Sequence, residues 1–245
     1  MNKYVVTILE NIPGLANKKA RKKFNINLDD GVTKSLTEVM DIFDGRRIMR
    51  VIAMDDWPLW VTELFGDSVV VIGGYLGVAT RRVLERIHTV KEIHTYEPVS
   101  EFAKQCEVND PRATVFNEGV WIEAGPLLLL VNGDHTYTSG SGRIVSDELK
   151  KFDEYVAKSV TVETLHSRLS NKENYSIMMN CEGAEYGIIK QVLNLNQLPK
   201  SISFQTHSLK TDTLIQLYEV RFLLAQKSYS PLLNLNYAWD IWVRI

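Results

Sequence analysis

Gly73, Gly74 and Gly77 lie in the stretch "VVVIGGYLGVAT" (69–80), and Glu97 follows 20 residues beyond the last of them. Glycine lets the backbone turn tightly and approach a ligand closely, because no Cβ intervenes. A carboxylate such as Glu97 only accepts hydrogen bonds, which suits the two hydroxyls of a ribose. Nicotinamide cofactors and S-adenosylmethionine both present such a ribose, so the pairing alone fits either. The spacing G-G-x-x-G departs from the G-x-G-x-x-G of dinucleotide sites and weakens the nicotinamide reading. A third reading is that the glycines merely pack a helix against a strand.

For these residues to form a cofactor floor, the glycines must join a strand to a helix. In a doubly wound sheet the ligand lies beyond the carboxyl ends of the strands, where the strand order reverses. The sequence has this alternation. "SVVVI" (68–72) is a β-branched run suited to a strand buried on both faces. "VATRRVLERIH" (78–88) follows as a helix, with Ala79, Val83 and Ile87 on one face. Strands are expected at 92–98, 113–121, 175–180 and 201–207, and helices at 101–109, 184–196 and 211–226. The last helix is read with Leu214, Leu217, Tyr218, Leu224 and Ala225 together. Residues 229–245 read as two strands joined by a polar turn. This order implies an α/β fold, a mostly parallel sheet with helices on both faces and one antiparallel edge. "NGDHTYTSGSGR" (132–143) reads as a long irregular loop of the kind that serves as a lid or binding loop. Residues 1–66 read as a mostly helical N-terminal extension, and 67–245 as the main domain.

Apolar content of 45% and charged content of 24% are those of an ordinary soluble domain. A formal charge of −2 gives no reason to expect nucleic acid or a membrane surface as partner. The longest apolar runs fall below the roughly 20 residues of a membrane helix, so no membrane insertion is expected. The N-terminus lacks the pattern of a signal peptide. Cys106 and Cys181 are the only cysteines and lie far apart, so a reducing cytoplasm is expected and a disulfide framework is not. No His, Cys and carboxylate set has metal spacing, so no metal is expected.

"IMMNCEGAEYGIIKQV" (177–192) resembles the signature of the FkbM-like methyltransferases, in which the fourth strand runs into an Asp-x-Glu-Gly-Ala-Glu turn and then a helix. Other pieces follow in the same order. "VVVIGGYLGVAT" resembles that family's first glycine loop, and "IHTYEP" its Glu-Pro at the second strand. "VTVETLHSRL" (160–169) resembles the segment before the signature, and "SISFQTH" (201–207) the fifth strand. The resemblance covers roughly residues 67–245. It implies a Rossmann-like methyltransferase fold with a seven-stranded sheet, and S-adenosylmethionine as cofactor. It further implies O-methylation of a saccharide or other small hydroxylated acceptor. Gly73, Gly74, Tyr75, Gly77, Glu97 and Asn180 are the cofactor-binding residues by that resemblance. In two places the chain departs from the family pattern: Val71 and Asn180 stand where acidic residues are usual.

Methyl transfer to an alcohol requires that the acceptor oxygen be aligned and its proton removed. Glu182 and Glu185 are the nearest carboxylates, and each also suits the first turn of a helix, where the dipole favours acidic groups. His207, after the fifth strand, and His135, in the Gly/Ser loop, are side chains that titrate near neutral pH and suit a base. His88, His94 and His166 read as structural. The basic run Lys18 to Lys23 reads as a solvated helix face, and Trp57, Trp60, Trp239 and Trp242 as core-closing aromatics. Two other readings stay open: a non-catalytic module of the same fold, favoured by Val71 and Asn180, and a nicotinamide-dependent oxidoreductase. The acceptor and the oligomeric state are not fixed by the sequence.

Overall fold

The computed structural model describes residues 66–77, 90–109, 111–132, 135–138, 153–206, 211–234 and 239–244. The chain divides into two compact units, Met1–Ile52 and Ala53–Ile245, and every described residue belongs to the second. The helical extension expected over 1–66 lies outside the described residues, Gly66 excepted, as does the helix expected over 78–88.

In chain order the described elements are β1 (Ser68–Ile72), β2 (Glu92–Tyr96), α1 (Ser100–Asn109), β3 (Thr114–Phe116), β4 (Gly119–Val120) and β5 (Gly125–Asn132). Then come β6 (His135–Thr138), β7 (Asp153–Val160), α2 (Val162–Ser167), β8 (Tyr175–Met179) and α3 (Glu185–Val192). The chain closes with β9 (Ser201–Gln205), α4 (Thr211–Gln226), β10 (Tyr229–Asn234) and β11 (Trp239–Arg244).

Seven strands form the main sheet in the order β10-β11-β9-β8-β1-β2-β3. β1 lies parallel to β2 on one side and to β8 on the other, β2 is parallel to β3, and β8 to β9. β11 runs antiparallel to both β9 and β10, which gives the expected antiparallel edge. The β-branched and aliphatic runs explain the centre. All five residues of β1, of β8 and of β9 are buried, as strands covered on both faces must be. On one face Val70, Ile72, Tyr96, Ile177, Met179, Ile202 and Phe204 form the large core with Ile188, Ile189 and Val192 of α3 and Leu217, Val220 and Leu224 of α4. On the other face Val69, Val71, Ile93 and Met178 form a smaller cluster.

Three expectations need correction. The third strand does not run through 113–121: β3 ends at Phe116, and β4 belongs to a second sheet of order β4-β7-β5-β6. A Cβ on Gly119 would lie 2.6 Å from a Leu127 methyl carbon, the movable end of that side chain, so the glycine eases the packing of β4 on Leu127. Second, the loop expected over 132–143 begins as a hairpin. Asn132 is the last residue of β5, and it pairs with His135 of β6 across a two-residue gap. The intervening Gly-Asp is a hairpin-type dipeptide. Third, Tyr218 and Ala225 of α4 are exposed, whereas Leu217, Val220 and Leu224 are fully buried. At about 100° per residue the three buried positions share one face and Tyr218 lies off it. The side chain of Leu214 lies outside the described residues.

α4 is tied to β11 by a buried ion pair. Arg221 donates through Nε and a terminal nitrogen to both oxygens of Asp240, each at 2.7 Å. Trp242 closes the core as expected, Trp57 and Trp60 lie outside the described residues, and so does the side chain of Trp239. No helix among the described residues is long and apolar enough to cross a membrane.

Candidate functional site

The strand order reverses between β1 and β8, and the register there fixes which residues meet. Ile72, the last residue of β1, pairs with Tyr96 at the end of β2 and with Met179 at the end of β8. The residues that follow, Gly73, Glu97 and Asn180, therefore leave the sheet side by side. Backbone bonds lock the three exits together: Gly73 and Gly74 donate to the Tyr96 carbonyl at 3.0 and 3.2 Å, and Asn180 donates to the Ile72 carbonyl at 3.0 Å.

The glycines are required by the protein's own packing. Gly73 has φ +84, and a Cβ there would lie 2.1 Å from the Asn180 carbonyl oxygen. A Cβ on Gly74 would lie 2.4 Å from a Thr95 methyl, and one on Gly77, at φ +77, 2.8 Å from Cys106 Cα. The turn is docked on α1 through its carbonyls as well. The Cys106 thiol donates to the Tyr75 carbonyl at 3.0 Å, and the Asn109 amide donates to that of Leu76. The backbone N–H groups of Gly73, Gly74, Tyr75 and Gly77 all have protein acceptors.

Glu97 is buried at 4% exposure, and its carboxylate bridges two segments. Tyr75 N–H donates to one oxygen at 2.8 Å, and Val99 N–H to the other at 2.9 Å. Burial raises this carboxyl to about 7, against the two amide donors, which favour the ionised form. Tyr75 takes φ +48, a left-handed conformation that non-glycine residues seldom adopt, and its ring meets Phe102 edge-on at 5.0 Å. Asn117 was not foreseen. Its amide donates to the carbonyls of Glu97 and Pro98 at 3.0 and 3.1 Å and steadies the chain leaving β2.

Beside it, the turn Asn180–Ala184 is organised by Glu185. This side chain is fully buried and accepts from Cys181 N–H at 2.6 Å and Gly183 N–H at 2.8 Å. Ala184, the residue before α3, offers no side-chain cap, and the Glu185 carboxylate serves the turn ahead of the helix. Its two oxygens are thus engaged in holding the turn. Glu182, half-buried on the same turn, takes φ +54. The Asn180 side-chain oxygen is buried and has no hydrogen-bond partner. Val71 is buried in the small cluster with Val69, Ile93 and Met178, where an ionised aspartate would lack solvent.

The other expected residues are dispersed. His135 belongs to β6, on the edge of the second sheet, and its side chain lies outside the described residues, as does the whole of His207. His94 is buried, with Nε2 3.0 Å from a Glu92 oxygen and Nδ1 unpartnered. His166 packs against Tyr175, and His88 and Lys18 to Lys23 lie outside the described residues. Both cysteines are free, and among the described residues no three potential metal ligands come together. A buried carboxylate that sequence reasoning missed is Glu118, which pairs with Lys158 at 2.5 Å and Arg168 at 2.6 Å. Burial works to raise it, and the two cations outweigh that and hold it below its ordinary value. Arg168 also lies 4.4 Å over the Phe116 ring, so the cluster braces the end of β3 against β7 and the residue after α2. No spacing rule joins residues 118, 158 and 168, so nothing in the sequence announced this cluster.

No family model and no curated protein matches the chain. Among solved structures it is similar to an O-methyltransferase from Bacillus cereus in complex with SAH, S-adenosylhomocysteine. That match has 10% identity and a TM-score of 0.52, and covers 92% of this chain and 96% of that one. It is also similar to the methyltransferase FkbM from Methylobacillus flagellatus, at 12% identity and a TM-score of 0.47 over 73% of this chain. A SAM-dependent O-methyltransferase from Thermotoga maritima matches at 10% identity and 0.44 over 78%. The chain spans 44% and 64% of the length of these last two. The full-length likeness to the first establishes the Rossmann-like methyltransferase fold, with the seven-stranded sheet expected from the sequence.

Proposed function

We propose that this chain is a S-adenosylmethionine-dependent methyltransferase of the FkbM-like kind, acting on a hydroxyl of a saccharide or other small acceptor. The observation that carries the reading is the meeting of Gly73, Glu97 and Asn180 at the reversal of strand order, with the Asn180 oxygen buried and unpartnered. Such an oxygen accepts hydrogen bonds and suits a ligand that brings donors, as an ammonium group does.

The residues present fit the cofactor in this way. Glu97 keeps lone pairs beyond the two its amide donors use, and these accept the ribose hydroxyls. Asn180 takes the place of the missing acidic residue at position 71 by accepting from the ammonium group. Gly73, Gly74, Tyr75 and Gly77 shape the turn by close packing. When bound, S-adenosylmethionine supplies the electrophilic methyl carbon. Glu182, on the turn that Glu185 holds, is the carboxylate we assign to the acceptor proton, since an amide at 180 is no base. His207 and His135 are alternative bases. A nicotinamide dinucleotide fits less well, because the turn amides that would cradle its diphosphate already have protein acceptors. The small net charge and the two free cysteines support a cytoplasmic enzyme working on a small molecule or glycan, without nucleic acid or membrane insertion.

The test is transfer of labelled methyl from S-adenosylmethionine to a panel of hydroxylated acceptors that includes saccharides, with wild type and Glu182→Ala. Label in the acceptor, lost by roughly 100-fold or more in the variant, supports the reading. No transfer to any acceptor, with the cofactor bound, favours the second reading, a non-catalytic module. The observation behind that second reading is Val71, set among aliphatic side chains where the family has a carboxylate.

A further inference from the structure

We infer that Glu97, besides the ligand contact proposed above, has a second role as the brace of the glycine turn: its carboxylate holds the turn in shape through Tyr75, and protonation of that carboxylate releases the turn. The geometry is a bridge between segments 24 residues apart, Tyr75 N–H on one oxygen and Val99 N–H on the other. Tyr75 is the one non-glycine residue of the described turn with positive φ, at +48. A left-handed tyrosine persists only where its surroundings over-determine it. Its N–H has this carboxylate oxygen and its C=O has the Cys106 thiol, so Glu97 and α1 together hold the strained residue.

A carboxylate has acceptor sites on both oxygens, whereas a protonated carboxyl carries a hydrogen on one of them. Protonation therefore leaves one oxygen a weaker acceptor that carries its own O–H, and the amide bonded to that oxygen is the end of the bridge that lets go. The groups around Glu97 do not oppose this. From α1 comes Cys106, whose thiol burial pushes up to about 12, with Glu107 beyond it. The turn after β8 contributes Cys181, also raised by burial, with Glu182 and Glu185 behind it. β2 contributes Thr95, and the residue after β3 contributes the neutral amide of Asn117. Among the described residues the side chains acting on Glu97 include no cation, and burial places its titration near neutrality. The expected behaviour is a turn that is ordered above about pH 7 and loosened below it.

The first arm uses the ligand-free protein. In samples labelled with ¹⁵N at tyrosine and valine, the Tyr75 and Val99 amide resonances should titrate together with a midpoint near 7, and neither should do so in Glu97→Gln. Glutamine offers a single acceptor oxygen and so holds one amide at every pH. Two amides that stay fixed from about pH 5.5 to about 8.5 in wild type would overturn the inference.

The second arm rests on the proposed cofactor and uses S-adenosylhomocysteine as probe. Affinity should fall by about tenfold on acidification through the same midpoint, and Glu97→Gln should bind with the weaker affinity at all pH. Binding that is independent of pH would contradict the inference and leave the cofactor assignment intact. Titrating amides with no binding at any pH would do the reverse. A merely structural carboxylate would lower stability without producing a shared midpoint in these two amides.

Discussion

At Gly73 two separate demands fall on one residue, a left-handed φ of +84 and a Cβ position 2.1 Å from the Asn180 carbonyl oxygen. Gly125 has a positive φ too, at +136, yet nothing stands within 4 Å of its Cβ position. Gly73→Ala should destabilise the domain by on the order of 2–4 kcal/mol, from strain and overpacking together. Gly125→Ala should cost about 1 kcal/mol, from conformation alone. Urea unfolding of both variants checks the difference, and equal midpoints would mean the β8 turn yields to a methyl group. The same pair shows what spacing can reveal. "GGYLG" marks a tight turn in the sequence, but the contact with Asn180 joins residues 107 positions apart and exists only once β1 and β8 pair. Glu185 makes the complementary case. By residue type it was a candidate for chemistry, and the fold gives both its oxygens to the backbone of the turn.

At the scale of one element, β2 and the residue after it hold two groups with opposite pH behaviour. Burial lowers His94 below its ordinary value, the nearby Glu92 notwithstanding. A histidine depressed in this way contributes stability that is full above about pH 6.5 and is lost as pH falls, because the unfolded chain binds the proton better. Glu97 is raised to about 7, so between its ordinary value and 7 the folded protein holds the extra proton, and its contribution is lost as pH rises. Measured between about pH 5.5 and about pH 7, Glu97→Gln should make stability climb more steeply with pH than in wild type. His94→Gln should make it climb less steeply or fall. Because each variant is compared with wild type, the contributions of His166 and Asp240 cancel. Changes in slope of the same sign for both variants would refute the assignment. "EIHTYEP" was legible as a strand, and a strand puts Glu92, His94 and Tyr96 on one face. The sense of each shift depends on burial by neighbours distant in sequence.

Over the whole molecule, the seven-stranded sheet was legible because each central strand is a run of apolar or β-branched residues between helical stretches. The second sheet was hidden. β7 reads "DEYVAKSV", in which Ala157, Ser159 and Val160 are buried while Val156 and Lys158 are exposed, so its inward face carries little hydrophobic signal. β5 is buried on one face only, because Leu127 and Leu129 pack with Val99 and Ala157. The candidate site was legible in its parts, Gly73, Glu97 and Asn180, because each ends or follows a strand. Its internal bonding was not, since a side chain that serves the backbone has no distinctive spacing. The central claim is that these parts form a site for S-adenosylmethionine. Calorimetric titration of the purified protein with S-adenosylhomocysteine, with NAD⁺ in parallel, tests it most directly. The account predicts micromolar binding of the former and none of the latter; no binding of S-adenosylhomocysteine at any pH from about 6 to about 8.5 would contradict it.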